Sequence, residues 1–141
     1  MAGLYGVAIA EDIALVADTA KLVLATTCPA NQRQRLLGWS ITPAGTSAVS
    51  FKVRIALLTG TLSGTTVTPG KAPNIGSETI QSTFLHTVTG HTVSTVVRNK
   101  YLQAGYSEGM DLLLEGGGKY GMEITAVSAA ATVRIEWMFE E

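Results

Sequence analysis

The sequence predicts an all-β fold, a jelly-roll-like two-sheet sandwich of about eight short antiparallel strands. Three observations carry this. Apolar residues recur on every second position in several segments, turn residues separate those segments, and no stretch shows a helical period. The clearest alternation is Thr132–Glu140, where Val133, Ile135, Trp137 and Phe139 fall on one side and Thr132, Arg134, Glu136 and Glu140 on the other. Side chains alternate across a strand, so this segment has one dry face. Burying four such side chains is worth roughly 1.5–3 kcal/mol each before chain entropy is subtracted. Heavy use of Thr and Val supports strands over helices.

Taken in order, Gly3 to Ala10 is rich in small residues with one aromatic, Tyr5, and reads as an N-terminal arm over 1–10. A single β-sandwich domain over 11–141 is expected to follow. Ile13–Val16 and Lys21–Thr26 are short runs of strand formers, and Pro29-Ala30-Asn31 makes a turn. Leu36–Thr42 alternates with Leu37, Trp39 and Ile41 on one face. Val49–Leu58 alternates through Val49, Phe51, Val53, Ile55 and Leu57. With turn residues Pro43–Ser47 between them, these two segments read as a β-hairpin.

Gly60 to Glu78 reads as a long irregular connection carrying Pro69 and Pro73, of the kind that crosses between sheets or serves an interface. Strand character resumes over Thr79–Thr89 and Thr92–Val97, divided at Gly90-His91, and a brief helical turn is expected around Lys100–Ala104. Met110–Leu114, a glycine turn and Tyr120–Val127 lead to the closing strand.

Composition bounds the function. The chain has 141 residues, enough for one domain with a real core, and a net charge of −1. A nucleic-acid binder carries a basic excess to neutralise phosphates, and here Arg33, Arg35, Lys52 and Arg54 are offset by acids. No nucleic-acid partner is expected. Charged residues make up 15% against roughly 25% in an average soluble domain, while apolar residues reach 46%. A thin sandwich cannot hide that much apolar surface alone, so a homo-oligomer is expected. Cys28 is the sole cysteine, which leaves no intrachain disulfide framework. The apolar start, interrupted by Glu11-Asp12, reads as neither a signal peptide nor a membrane span.

The motif-like strings favour structural readings. Gly116-Gly117-Gly118-Lys119-Tyr120-Gly121 matches G-x-G-x-x-G, but a dinucleotide site needs a helix next, and Tyr120–Thr125 alternates with period two instead. His86 and His91 lack clustered acids, so they make a weak metal signal. Cys28 has no evident partner base and reads as a small packed residue. Trp39 and Trp137 align with aliphatic neighbours and read as core rather than as a sugar-stacking face. The acids are scattered, with no pair placed as general acid and base. No catalytic, metal-binding or cofactor-binding residue is assigned.

Cys28-Pro29-Ala30-Asn31-Gln32-Arg33 leading into Leu36-Leu37-Gly38-Trp39-Ser40-Ile41, then Gly45-Thr46-Ser47-Ala48, Thr68-Pro69-Gly70-Lys71, and Gly116-Gly117-Gly118 through Phe139-Glu140-Glu141, together resemble a family of small all-β virion proteins of tailed bacteriophages. The resemblance implies a non-enzymatic head decoration or cement protein, a trimer above all, made in the host cytoplasm and seated on the major capsid protein at the capsid surface. It implies no cofactor. Leu4, Tyr5, Val7 and Ile9 in the arm, and Val67, Pro69, Lys71, Pro73 and Ile75 in the long connection, are the residues expected to carry contacts. Two rivals stand beside it. One is a carbohydrate-binding or tail- or fibre-associated β-sandwich module. The other is a small β-fold enzyme of the cupin kind, which would need a bound metal.

Overall fold

A computed structural model describes residues 5–31, 33–44, 49–71, 79–102, 107–114 and 117–141. Among them are nine strands: β1 (Tyr5–Leu15), β2 (Lys21–Thr27), β3 (Gln34–Pro43), β4 (Ser50–Val67), β5 (Gly70–Lys71), β6 (Thr83–Leu102), β7 (Ser107–Leu114), β8 (Lys119–Val127) and β9 (Ala131–Glu140). All the ladders are antiparallel, and they form two layers. The first is ordered β5-β1-β9-β3-β7, and the second contains β2, β8, β4 and β6. Set β1-β9-β3-β7 over β2-β8-β4-β6 and the strand order is that of a jelly roll, with each successive strand changing layer except at β4 to β6.

The hairpin expected from Leu36–Thr42 and Val49–Leu58 is therefore a crossover: β3 and β4 lie in opposite layers. The glycine turn before β8 likewise joins two layers. Alternation marks a half-buried strand, but it is the same pattern whether the next strand is a sheet neighbour or faces it across the core.

β9 sits in the middle of the first layer, between β1 and β3. Val133, Ile135, Trp137 and Phe139 are all buried, as their alternation predicts. Trp137 lies directly opposite Trp39 in the β9–β3 ladder, and both rings face the core. Phe139 meets Phe84 of the other layer, with ring centroids 4.9 Å apart.

The expected arm over 1–10 is corrected from Tyr5 onward, where the chain is already β1. Gly6, Ala8 and Ala10 stand opposite Phe139, Trp137 and Ile135 of β9, and all three small residues are buried. Large side chains on one strand leave room only for small ones beside them. A Cβ on Gly6 would come within 2.5 Å of the Phe139 ring. The apparent low-complexity arm is the small half of a small-against-large core ladder.

The long connection is corrected over Gly60 to Val67, and residues 72–78 of it lie outside the described residues. Strand β4 runs unbroken through Gly60 to Val67, and the two expected strands around Gly90 are one strand, β6. The helical turn expected at Lys100–Ala104 is strand as far as Leu102, and its remainder lies outside the described residues. β4 and β6 form one long ribbon, paired from Phe51↔Leu102 to Val67↔Phe84. Its first half belongs to the sheet through β8, from Ser50↔Val127 to Leu58↔Lys119. Its second half folds back, so that Thr83–Val88 of β6 pair with β2. Because β2 also pairs with β8, the four strands close into a ring.

Two glycines set the corner of this ribbon. Gly60 and Gly90 have φ of +98° and +80°, a region that side chains rarely tolerate. A Cβ on Gly60 would lie 2.5 Å from the Gly90 carbonyl oxygen, and one on Gly90 would run into the Thr61 carbonyl oxygen. The folded ribbon encloses a second small core of Leu22, Ala25, Ala56, Leu58 and Val88, with Leu62, Leu85 and Val93 packed against it. Strand β2 is consequently buried on both faces, which is why Leu22-Val23-Leu24-Ala25 is a continuous apolar run.

Candidate interaction surface

The outward face of the first layer is built by the residues that alternate with its core. On β1 these are Tyr5, Val7 and Ile9; on β9, Arg134, Glu136, Met138 and Glu140. The ladders fix their rows. Tyr5, Glu140 and Arg35 lie side by side, as do Val7 and Met138, and then Ile9, Glu136 and Ser40. A register shift between Leu36 and Gly38 turns the half-buried Leu37 out beside Met138. A bulge in β1 ends the face, with Asp12 at φ 53° and Glu11 beside it.

The charges at that end are already engaged. Arg134 lies 3.3 Å from Glu136 and 3.7 Å from Glu11, and Ser40 Oγ donates to Glu136 at 3.5 Å. The remainder is a half-buried apolar strip of Val7, Ile9, Leu37 and Met138, with Tyr5 exposed at its corner.

The residues expected to carry contacts divide. Tyr5, Val7 and Ile9 share this outward face. The backbone of Lys71 is paired beside Gly6, since β5 meets β1 at Gly6↔Lys71 and Val7↔Gly70, and Pro69 is half-buried just before β5. Val67 is corrected: it is buried and packs in the main core, because β4 continues through it as a strand. Leu4, Pro73 and Ile75 lie outside the described residues.

A second exposed surface is not legible in the sequence. It is the latter half of β6, where Val96, Val97 and Tyr101 are 39, 41 and 71% exposed. Lys52 lies over the Tyr101 ring at 5.3 Å from its centre. Next to it, Arg54 donates through Nε and Nη2 to Glu123 at 2.9 and 2.5 Å. The valines are legible as strand formers, but their exposure follows from the bend that carries the other half of β6 away.

The remaining chemical candidates are absorbed by the fold. Trp39 and Trp137 are buried to 0 and 1% exposure, which removes both rings from any sugar-stacking face. Trp137 Nε1 donates to Gln34 Oε1 at 2.9 Å, and Gln34 Nε2 donates to Thr26 Oγ1 at 3.0 Å. A fully buried amide thus bridges the two layers with its polar ends matched. Cys28 is buried beside it, and its thiol is pushed up to about 11, first by burial and then by the Glu141 charge. A hydrogen bond from Gln34 pulls less strongly the other way. A thiol so protonated is a poor nucleophile at neutral pH.

The glycine string is occupied by structure too. Gly117, at φ 77°, donates its N–H to the carbonyls of Cys28 and Pro29 at 3.0 Å, and the Gly118 carbonyl accepts from the Cys28 N–H at 2.9 Å. The next element is strand β8 rather than a helix. His86 and His91 lie on β6, and among the described residues no three His, Cys, Asp or Glu side chains group as a metal site. A hollow of about 330 Å³ at the end of the sandwich is lined by small apolar groups such as Ala14, Pro43 and Ala131, which offer no acid–base chemistry.

Comparison of the chain with family models, curated proteins and solved structures finds no match.

Proposed function

We propose that this chain is a structural virion protein, a decoration or cement protein that seats on a bacteriophage head and stabilises it through subunit contacts. The observation that carries the reading is the jelly-roll strand order combined with a contact-ready outward face. Jelly rolls serve capsids, lectins and cupins alike, so the fold alone does not choose among them. The side chains favour the first. Both tryptophans and the cysteine are spent inside the core, while the residues left outside form apolar strips edged by charge. Such strips bury area against protein.

In this reading the protein acts by differential binding: it adds contacts across junctions of the mature shell and so raises the free energy needed to break it. The major capsid protein is the partner, and the decorating unit is a homo-oligomer, a trimer in the arrangement that the resemblance implies. The direct test is co-sedimentation of purified protein with phage shells stripped of decoration. Saturable binding with a raised shell-disruption temperature is expected. Absence of binding to both expanded and unexpanded shells would reject the reading, and saturable binding to a glycan instead would favour the carbohydrate-binding alternative.

A further inference from the structure

The two outward apolar patches, one half-buried and one exposed, lie on different parts of the molecule and differ in character. The outward face of the first layer is broad: Val7, Ile9, Leu37 and Met138, bordered by the carboxylates of Glu11, Glu136 and Glu140 and the guanidiniums of Arg35 and Arg134. Three acids against two bases leave it slightly negative. The patch on β6 is a narrow ridge of Val96, Val97 and Tyr101 with the Lys52 ammonium against it.

The β6 ridge is poorly suited to pair edge to edge with a copy of itself. Its ladder with β4 shifts register between Ile55 and Ala56 and again between Leu57 and Leu58. Such irregularities bend an edge strand away from a straight partner. The ridge therefore offers side chains rather than a backbone row, and a cation-bearing ridge complements an apolar strip edged with carboxylates better than it complements itself. The face is large enough to receive it. Four strands about ten residues long span roughly 600 Å², wider than the single strand that carries the ridge.

We propose that the β6 ridge of one copy docks on the outward face of the first layer of the next copy, seating Val97 and Tyr101 over Val7 and Met138. This contact is heterologous, because two different surfaces meet, and repeated contacts of that kind close into a ring when the rotation between copies permits. The proposal deepens the homo-oligomer part of the decoration reading and rests on it, but it requires no shell.

The test uses the full chain in a Cys28→Ala background. Tyr101→Cys and Val7→Cys are made separately and together, with Val96→Cys as a second ridge probe, and a short bis-maleimide supplies the link. Each single variant alone is expected to give no covalent dimer. The two single variants mixed should give a dimer and nothing larger, and the double variant should give a ladder ending at one ring size. Self-linking of either single variant, or no link in the mixtures with both ridge probes, overturns the proposal. Shell binding is read separately. Correct crosslinking without shell binding would sink the decoration reading alone, and shell binding with the wrong crosslinks would sink this contact alone.

Discussion

The two flanks of the sandwich are finished in opposite ways. On the β1/β2 flank, β5 covers the start of β1, and the first half of β6 covers β2. On the other flank, among the described residues, neither β7 nor the second half of β6 has a further strand beyond it. Leu102 and Ser107 are five steps apart along the chain, a reach of at most about 18 Å, so both open edges lie on the same side. One strand, β6, therefore seals one flank with Thr83–Val88 and borders the other with Val93–Leu102. The division falls at the Gly60/Gly90 corner. An edge strand left bare invites association, and here the burial follows the division: Phe84 and Val88 are buried in the sealing half, while Val96, Val97 and Tyr101 are exposed in the other. In the proposed assembly, sealing and contact are separate tasks of one strand.

The largest effect should come from breaking the corner itself. Gly90→Val forces a β-branched side chain into positive φ and into the Thr61 carbonyl, so a loss of roughly 3 kcal/mol or more is expected. Denaturant titration gives the total. Hydrogen exchange should show the loss first in β2 and Thr83–Val88, and an even loss over both flanks would mean the corner does not hold the ring.

Next is the pH dependence at Cys28, at the end of β2. Its folded value of about 11 lies above the ordinary thiol value, so the native state holds the proton more tightly than the unfolded chain. The contribution is fully present below about pH 9 and is lost as pH rises toward 11, on the order of 3 kcal/mol in all. Cys28→Ala should remove that part of the alkaline decline; an unchanged decline would contradict the burial argument.

A smaller loss is expected on removing the bridge between layers. Gln34→Leu leaves Trp137 Nε1 and Thr26 Oγ1 without their Gln34 partner, at about 2 kcal/mol. Thermal melting measures it, and a neutral result would mean that water or rearrangement replaces the amide. Smallest of all should be Val97→Thr on the open flank. An exposed side chain makes a difference within about 0.5 kcal/mol to folding, so an effect on assembly without one on melting would sharpen the distinction between the flanks.

The parts legible in the sequence are those where one residue pattern has one physical meaning. Val133, Ile135, Trp137 and Phe139 alternate because only one face of β9 is dry, and that face is the core. Gly6, Ala8 and Ala10 carry the same alternation in a disguised form. Their burial is dictated by the large residues opposite them on β9, which lie more than a hundred positions away. The ribbon is obscured by its own chemistry. Gly60, Gly90 and the threonines around them read as loop, because a sharp bend in a continuous strand uses the residues that end one. For the candidate surface, Tyr5, Val7 and Ile9 are legible as an uncharged set, although the sequence assigns them to an arm and the structure to the outward face of β1. Val67 misleads because its burial depends on where β4 goes after the corner.

If the two halves of β6 divide the work in this way, Val93–Leu102 meets another chain and Thr83–Val88 does not. If the chain is the head decoration protein proposed above, an image reconstruction of the decorated head tests that division most directly. Density for the chain is expected on the outer surface of the head, with Val97 and Tyr101 covered by a neighbouring subunit and the β2-facing half of β6 free of intersubunit contact. Density in the tail, or on the head with the Val97–Tyr101 ridge facing solvent, would contradict it.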